Sequence, residues 1–371
     1  MSDTLENKVR PRLIGEVGLR VLAIALFIVG CLSLMNGSTV GSAEDIGSSG
    51  DVASNESDES HHRDKDCMII AFGCCCHQEF EQPLWDDILS QGPDLWIWLG
   101  DNIYGDSEDM SVMRAKYNQN KSNPLYQQLV KSTPVIGTWD DHDYGMGDGG
   151  KRFSMKAESQ QEHLDFLDVP PDDIRRTREG VYNSYLLSRK SIANVKVILL
   201  DTRYFRDDLV VTDDHYGPNL EGEILGEAQW KWLEQELAGS DADIHIIGSS
   251  IQVISEEHGL EKWANFPAER KRLLDLLVRF DVKHPILISG DRHIGEMSAL
   301  RWNGKYFFEV SAGSLTHARK DIDDEINKHR LGSIVNVENY GTIEVSRDDC
   351  LKIKVFIKAD NRKVMADFEL N

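Results

Sequence analysis

The segment LWIWLGDNIY, residues 95–104, joins five consecutive apolar residues directly to a polar turn. A short apolar run of this kind is typical of a strand that is buried on both faces. Gly100 and Asp101 follow the run at once, so the sequence predicts a carboxylate at a sharp turn beyond the end of the strand. For a single turn of this type, an Asp that caps the following segment is the simpler interpretation.

The same pattern, a short apolar run followed by polar residues, recurs along the chain. Its other occurrences are residues 68–72, 134–139, 195–200, 244–247, 285–289 and 307–310. Patterns typical of helices separate several runs, at residues 83–89, at residues 227–237 and after Pro267. Alternating strands and helices predict a layered α/β fold, in which ligands bind outside the carboxyl ends of the strands. Alternating residues at 342–345 and 351–357 predict further strands that close a second sheet.

Residues 140–143 place three carboxylates around one imidazole. Closely spaced carboxylates are costly to bury unless cations accompany them, so Asp141 is a candidate metal ligand. His142 is then a candidate acid that protonates a leaving alkoxide. A solvated loop is the alternative interpretation of this run.

Two further polar clusters supply candidates. Asp291 and His293 stand two positions apart after the run at 285–289. In an extended loop such residues point the same way, so both can reach one pair of metal ions. Arg203 follows the run at 195–200, and its planar guanidinium suits two phosphate oxygens. An ion pair with Asp201 or Asp207 is the competing interpretation of this arginine.

Cys74, Cys75 and Cys76 are consecutive, and the sequence leaves three interpretations open. One thiolate can bind iron or zinc, two can form disulfides elsewhere, or all three can be small buried residues. A disulfide between Cys67 and Cys350 is a further option in an oxidising compartment.

Five motifs together resemble the alkaline phosphatase D-like family of metallophosphatases, over residues 68–315. In chain order they are FGCCCHQ (72–78), WLGDNIYGD (98–106), TWDDHD (138–143), LDTR (200–203) and SGDRH (289–293). The resemblance implies an α/β, four-layer metallophosphatase fold with a β-sandwich core flanked by helices. It also implies hydrolysis of phosphate monoesters or diesters by metal-activated water. On that basis His142 is expected to act as the leaving-group acid and Arg203 as the phosphate clamp.

The resemblance also implies a set of metal ligands. The positions that hold iron in the family match Cys75, Asp101, Tyr104 and His293. Oxygens of Asp101, Asp141 and Asp291 would hold a neighbouring cation, and ligation by oxygen alone suits calcium or another hard cation. Three cysteines stand where the family usually has one, so Cys74 or Cys76 can replace Cys75 in this set.

The N-terminal part of the chain differs from the rest. Residues 1–43 contain an apolar run at 21–35 behind four basic residues, which predicts a signal peptide or an uncleaved signal anchor. Residues 44–66 are acidic, almost without apolar residues, and predict a flexible linker. Residues 67–371 form the predicted catalytic domain. We therefore expect a secretory-pathway protein, secreted or membrane-anchored, that contacts a membrane only through the N-terminal segment.

The charge of the chain limits its partners. A formal net charge of -22 argues against a broad electrostatic contact with nucleic acid, which requires a basic surface. The expected partner is a phosphorylated small-molecule substrate. Two other functions stay open: an inactive relative that binds phosphorylated ligands, and a thiol redox protein that uses residues 74–76. Asn55 and Asn120 each begin an N-glycosylation motif, which can be glycosylated only if the chain enters a secretory lumen.

Overall fold

The computed structural model describes residues 50–51, 67–213, 215–322 and 325–370. The predicted signal segment, most of the predicted linker and the sequon at Asn55 lie outside the described residues. Among the described residues, no helix is long and apolar enough to cross a membrane.

The described residues form sixteen strands. They are β1 (Gly50–Asp51), β2 (Cys67–Gly73), β3 (Leu95–Leu99), β4 (Val135–Thr138), β5 (Asn183–Arg189), β6 (Ala193–Leu199), β7 (Val210–Val211), β8 (Tyr216–Gly217), β9 (Ile244–Gly248), β10 (Pro285–Ser289), β11 (Gly295–Trp302), β12 (Lys305–Ala312), β13 (Arg330–Val335), β14 (Tyr340–Arg347), β15 (Leu351–Ala359) and β16 (Lys363–Leu370). Every apolar run predicted to be a strand is one.

Seven α-helices lie between these strands in the described residues. They are α1 (Leu84–Gln91), α2 (Met110–Lys121), α3 (Pro124–Ser132), α4 (Asp141–Tyr144), α5 (Lys156–Phe166), α6 (Gly226–Ala238) and α7 (Pro267–Arg279). Single 3-10 turns occur at Ile174–Arg176, Trp263–Asn265 and Asp360–Arg362. The three helices predicted from the sequence correspond to α1, α6 and α7, and Pro267 opens α7 as expected.

Two large sheets contain most strands. The eight-stranded sheet has the order β1-β5-β6-β9-β10-β12-β11-β13, and the six-stranded sheet has the order β16-β15-β14-β2-β3-β4. Strands β6, β9, β10 and β12 run parallel to one another, as do β2, β3 and β4. The predicted second sheet is confirmed, since β14 and β15 extend the sheet that contains β2.

The two sheets pack face to face. Ile70 and Ile97 of the six-stranded sheet share one buried cluster with Val197 and Ile246 of the eight-stranded sheet. Burial of each such side chain stabilises the fold by about 1.5–3 kcal/mol. This cluster is the centre of the sandwich.

Helices cover the outer face of each sheet. Trp96, on the opposite face of β3, packs edge-on against Trp85 of α1 with ring centroids 5.1 Å apart. On the other side, Ile247 of β9 packs against Trp230 of α6 and Leu273 of α7. The predicted four-layer arrangement, a β-sandwich flanked by helices, is confirmed.

The cysteines near the two ends of the folded part do not form a disulfide. Cys67 is half-buried, Cys350 is exposed, and both are free thiols. The bridge considered from the sequence is therefore absent.

Candidate metal centre

Of the three consecutive cysteines, Cys75 is the one that faces the other predicted ligands. Its Sγ lies 3.6 Å from Oδ2 of Asp101. The side chain of Cys74 is packed against Gly290, where a Cβ atom would overlap the Cys74 sulfur. Cys76 points elsewhere, with its Sγ 3.6 Å from the side-chain oxygen of Asn120. Only the position of Cys75 suits the predicted ligand set.

Asp101 occupies a turn that only a glycine at the preceding position allows. Gly100 has φ +99°, and a Cβ atom there would lie 2.6 Å from the backbone nitrogen of Asp140. The carboxylate of Asp143 holds this turn, because it accepts hydrogen bonds from the amides of Asp101 and Asn102 at 3.2 Å each. Asp143 therefore has a structural role.

Tyr104 and His293 complete the first group. The Tyr104 hydroxyl lies 3.0 Å from Nε2 of His293 and 3.5 Å from Oδ2 of Asp101. Nδ1 of His293 lies 3.2 Å from the carbonyl oxygen of His317. Because a carbonyl only accepts, Nδ1 carries the proton, which leaves the Nε2 lone pair facing the site. Ligand atoms of Cys75, Asp101 and His293 all lie within 4.8 Å of one another.

Two further groups of potential ligands adjoin the first. Asp101, Asp141 and His142 form one group, and Asp140, Asp141 and Asp291 form the other, each with ligand atoms within 4.8 Å. Asp101 thus belongs to two groups and Asp141 to two. The structure brings together all six predicted metal ligands, and it adds Asp140, which the sequence did not assign.

Burial and mutual repulsion perturb these carboxyl groups. Burial, together with the neighbouring carboxylates, raises the pKa of Asp101 and Asp291 well above the ordinary range and that of Asp140 to about 7. Burial would also raise the pKa of Asp141, but the charges of Arg203 and His142 lower it. So many buried acids, beside a thiol and a phenol, form a donor set that fits cations.

Four of the predicted ligands have an unusual backbone conformation. Cys75, Asp101, Asp291 and His293 all have positive φ, at 55°, 48°, 65° and 56°. Each such residue costs on the order of 1–3 kcal/mol, and strain of this kind concentrates at functional sites. Asp106, the partner of His142, shares this conformation at φ 48°.

His142 lies at the rim of the centre. Its side chain is 30% exposed, and Nδ1 lies 2.7 Å from Oδ1 of Asp106. Burial acts to lower the pKa of His142, but the hydrogen bond to Asp106 and the charge of Asp141 outweigh it and raise the pKa to about 9. Sequence reasoning missed Asp106 as its partner, although the residue ends one of the quoted motifs.

The structure places Arg203, the predicted phosphate clamp, among buried acids. Its side chain is fully buried and forms ion pairs with Asp140 and with Glu261, the latter at 2.6 Å. Neither Asp201 nor Asp207 forms an ion pair with its guanidinium, although the Arg203 amide donates to Oδ1 of Asp201 at 2.9 Å. The guanidinium thus contacts Asp140 of the candidate centre, and its role as a phosphate clamp stays a prediction.

A family model described as PhoD-like phosphatase matches residues 70–355. This chain belongs to the PhoD-like phosphatase family. The resemblance carried by the five motifs is thus confirmed. Alkaline phosphatase D of Bacillus subtilis is 22% identical over 279 residues, which cover 63% of this PhoD-like chain and 47% of that protein. The chain therefore spans about half the length of this curated relative.

Solved structures support the fold. A structure of PhoD matches with a TM-score of 0.65 at 18% identity, covering 82% of this chain and 68% of that chain. A purple acid phosphatase, PPD1 of yellow lupin (Lupinus luteus), matches at 0.57 and 11% identity, covering 82% and 53%. GAP50, described as the anchor in the inner membrane complex of Plasmodium, matches at 0.54 and 14%, covering 83% and 89%. At these identities the likeness is one of fold.

Proposed function

We propose that this PhoD-like protein hydrolyses phosphate esters at the cluster that contains Cys75, Asp101 and Asp141. The supporting observation is the convergence of ligand atoms from separate loops into adjoining groups, each within 4.8 Å. Chain segments far apart in sequence contribute to these groups. Because these carboxyl groups are buried, the alternative interpretation of a solvated acidic loop does not describe them.

The donor chemistry favours two different cations in this proposal. The thiol of Cys75 and the phenol of Tyr104, both anionic when they bind a metal, favour trivalent iron beside His293. Oxygens of Asp101, Asp141 and Asp291 favour calcium or another hard cation. When bound, such ions activate water and neutralise phosphate oxygens.

Side chains around the metal centre would supply proton donation and positioning. His142 is partly exposed and paired with Asp106, so in its protonated form it can donate a proton to the oxygen of the departing alcohol. Asp106 would hold the imidazole in place through Nδ1. Arg203 and its ion pairs would fix Asp140 beneath the centre.

The place of action belongs to the same proposal. The apolar run and basic residues within residues 1–43 support entry into the secretory pathway, with the catalytic domain outside the cytosol. Expression with the intact N-terminal part, followed by N-terminal sequencing of the product, distinguishes cleavage from anchoring.

A thiol redox function has less support. Cys74, Cys75 and Cys76 are fully buried, and burial raises the pKa of Cys75 and of Cys76. Reactive thiols are instead partly exposed and have a lowered pKa.

Elemental analysis and turnover test the proposal together. We expect purified protein to contain iron and to hydrolyse p-nitrophenyl phosphate, its bis ester, or both. Asp101→Asn should abolish turnover and metal content together. Metal-replete protein without turnover would instead favour an inactive relative that binds phosphorylated ligands. Activity that survives chelation but is lost on thiol alkylation would favour the redox function.

A further inference from the structure

Three aromatic rings stack in a row from the candidate metal centre to the surface. The ring of His77 lies 4.9 Å from that of Tyr104 at an interplanar angle of 24°. The ring of Phe80 lies 4.2 Å from that of His77 at 15°. We call Tyr104, His77 and Phe80 the aromatic column. Its inner end is a predicted metal ligand.

The outer end of the column is open. Phe80 is 49% exposed, and its inner face is covered by His77. Neither His77 nor Phe80 belongs to the four buried apolar clusters of the described residues. Core packing therefore does not explain why these rings are held here.

Hydrogen bonds hold the loop that carries the column. The amide of Tyr104 donates to Oε1 of Gln78 at 2.9 Å, and the amide of Phe80 donates to the carbonyl of His77 at 3.0 Å. The amide of His77 donates to Oγ1 of Thr316 at 2.9 Å. His77 and Phe80 are thus preorganised on the loop that carries Cys75, and the Gln78 contact fixes Tyr104 of the next loop beside them, so binding to the column requires little ordering.

A fourth ring supports the column from the side. His317 stands edge-on to Phe80 at 5.5 Å and 86°, and edge-on to His77 at 6.2 Å and 81°. Its Nδ1 lies 2.8 Å from Oγ1 of Thr316, the hydroxyl that also accepts from His77. Edge-to-face contacts of this kind favour one orientation of the stacked rings. His317 is therefore a positioning residue for the column.

We propose that the aromatic column binds a flat unsaturated ring in the alcohol part of the substrate, so that nucleobase-bearing phosphate esters are preferred over esters of glycerol or of sugars without a base. This inference rests on the proposed function, since it assumes that phosphate lies at the metal centre. Ring spacings of 4.9 and 4.2 Å separate Phe80 from Tyr104, so the substrate ring must be held away from the phosphate by a spacer, as ribose holds a base. Every flat unsaturated ring can stack on an aromatic face, so the column would favour substrates that carry such a ring and would discriminate little between different rings.

Binding of two phosphonates that cannot be hydrolysed as esters tests the inference. We expect the phosphonate analogue of adenosine 5′-phosphate to bind metal-loaded protein about tenfold more tightly than methylphosphonate, a difference typical of one aromatic contact. Phe80→Ala should remove the difference by weakening the adenosine phosphonate alone, and Phe80→Trp should restore it. Tyr306→Ala is the matched control, because Tyr306 is another exposed aromatic residue, at 57% exposure, on strand β12.

The two proposals fail in different ways. Equal affinities of the wild-type protein for both phosphonates, or a preference that survives Phe80→Ala, would overturn the aromatic subsite whatever the turnover. Absence of turnover on p-nitrophenyl phosphate, with the preference intact, would overturn the hydrolytic function and support the subsite as a binding site. As a kinetic check, Phe80→Ala should raise KM for adenosine 5′-phosphate and leave KM for glycerol 2-phosphate unchanged.

Discussion

The hydroxyl of Tyr104 lies 3.0 Å from Nε2 of His293, although the two residues are 189 positions apart in the sequence. One follows β3 of the six-stranded sheet and the other follows β10 of the eight-stranded sheet. The contact therefore joins the two halves of the sandwich at the edge where their strands end. The candidate centre is thus built from loops of both sheets.

The identity of the thiol ligand is testable by exchange of single cysteines. Cys75→Ser should weaken iron binding by roughly tenfold or more, since a hydroxyl is a poorer ligand than a thiolate. Cys74→Ala should retain iron and cost about 1 kcal/mol of stability, because it only removes a buried sulfur. Iron content after purification at equal protein concentration measures both. Loss of iron from the Cys74 variant alone would reverse the assignment.

The pair formed by His142 and Asp106 predicts a pH profile. If protonated His142 donates the proton, activity is lost as pH rises through its pKa, which Asp106 helps to raise. Asp106→Asn should move the alkaline limb of kcat/KM to lower pH by about 1 unit. Asp172→Asn, at an exposed position, should leave the profile unchanged. If the alkaline limb of kcat/KM is unchanged in Asp106→Asn, His142 is not the acid.

The turn at Gly100 should not tolerate a side chain. Gly100→Ala combines a positive φ with overlap against Asp140, and we expect a loss of about 2–4 kcal/mol in the free energy of unfolding, with loss of metal. Gly304→Ala is the control, since Gly304 has φ +89° but nothing within 4 Å of the added Cβ. Its cost should be about 1 kcal/mol. Urea unfolding measures both, and equal costs would contradict the steric argument.

Buried His163 predicts a loss of stability in acid. Burial, with a smaller contribution from Arg175, lowers its pKa to about 3. Below the unfolded value of about 6.5, the unfolded chain binds a proton that the folded protein excludes. Its contribution is therefore complete above about pH 6.5 and falls by about 1.4 kcal/mol per unit of pH below that value.

The variant His163→Gln isolates this effect. Because glutamine does not titrate, the variant should show a flatter decline of unfolding free energy between pH 6.5 and 4 than the wild-type protein. His284→Gln, at an exposed position, should decline as the wild-type protein does. Parallel curves for wild type and His163→Gln would refute the prediction.

The parts of the fold that could be predicted are those with continuous apolar sequence. Strand β3 is buried at all of its positions, so its sequence carries the signal without help from neighbours. Strand β16 alternates between exposed and half-buried residues, and only its pairing with β15 makes it a strand. The residues of β16 alone do not predict that pairing.

The same distinction applies to the site. Asp101 and His293 stand directly after apolar strands, so the sequence pattern identifies them. Arg203 stands in the same kind of position, but its burial and its pairing with Glu261 depend on a loop 58 residues later. His317 could not be found, because its role depends only on rings brought together by folding.

Strand β2, which leads into the loop of Cys75, is hydrogen-bonded on one side to β3 and on the other to β14. A ribosome releases β2 long before β14, so the nascent chain holds this strand with one flank unpaired until residues 340–347 have been synthesised. The thiol loop gains its second supporting strand only at that point. If the loop binds metal as proposed, a nascent chain that still lacks β14 offers the ion a thiol on a strand with only one neighbour.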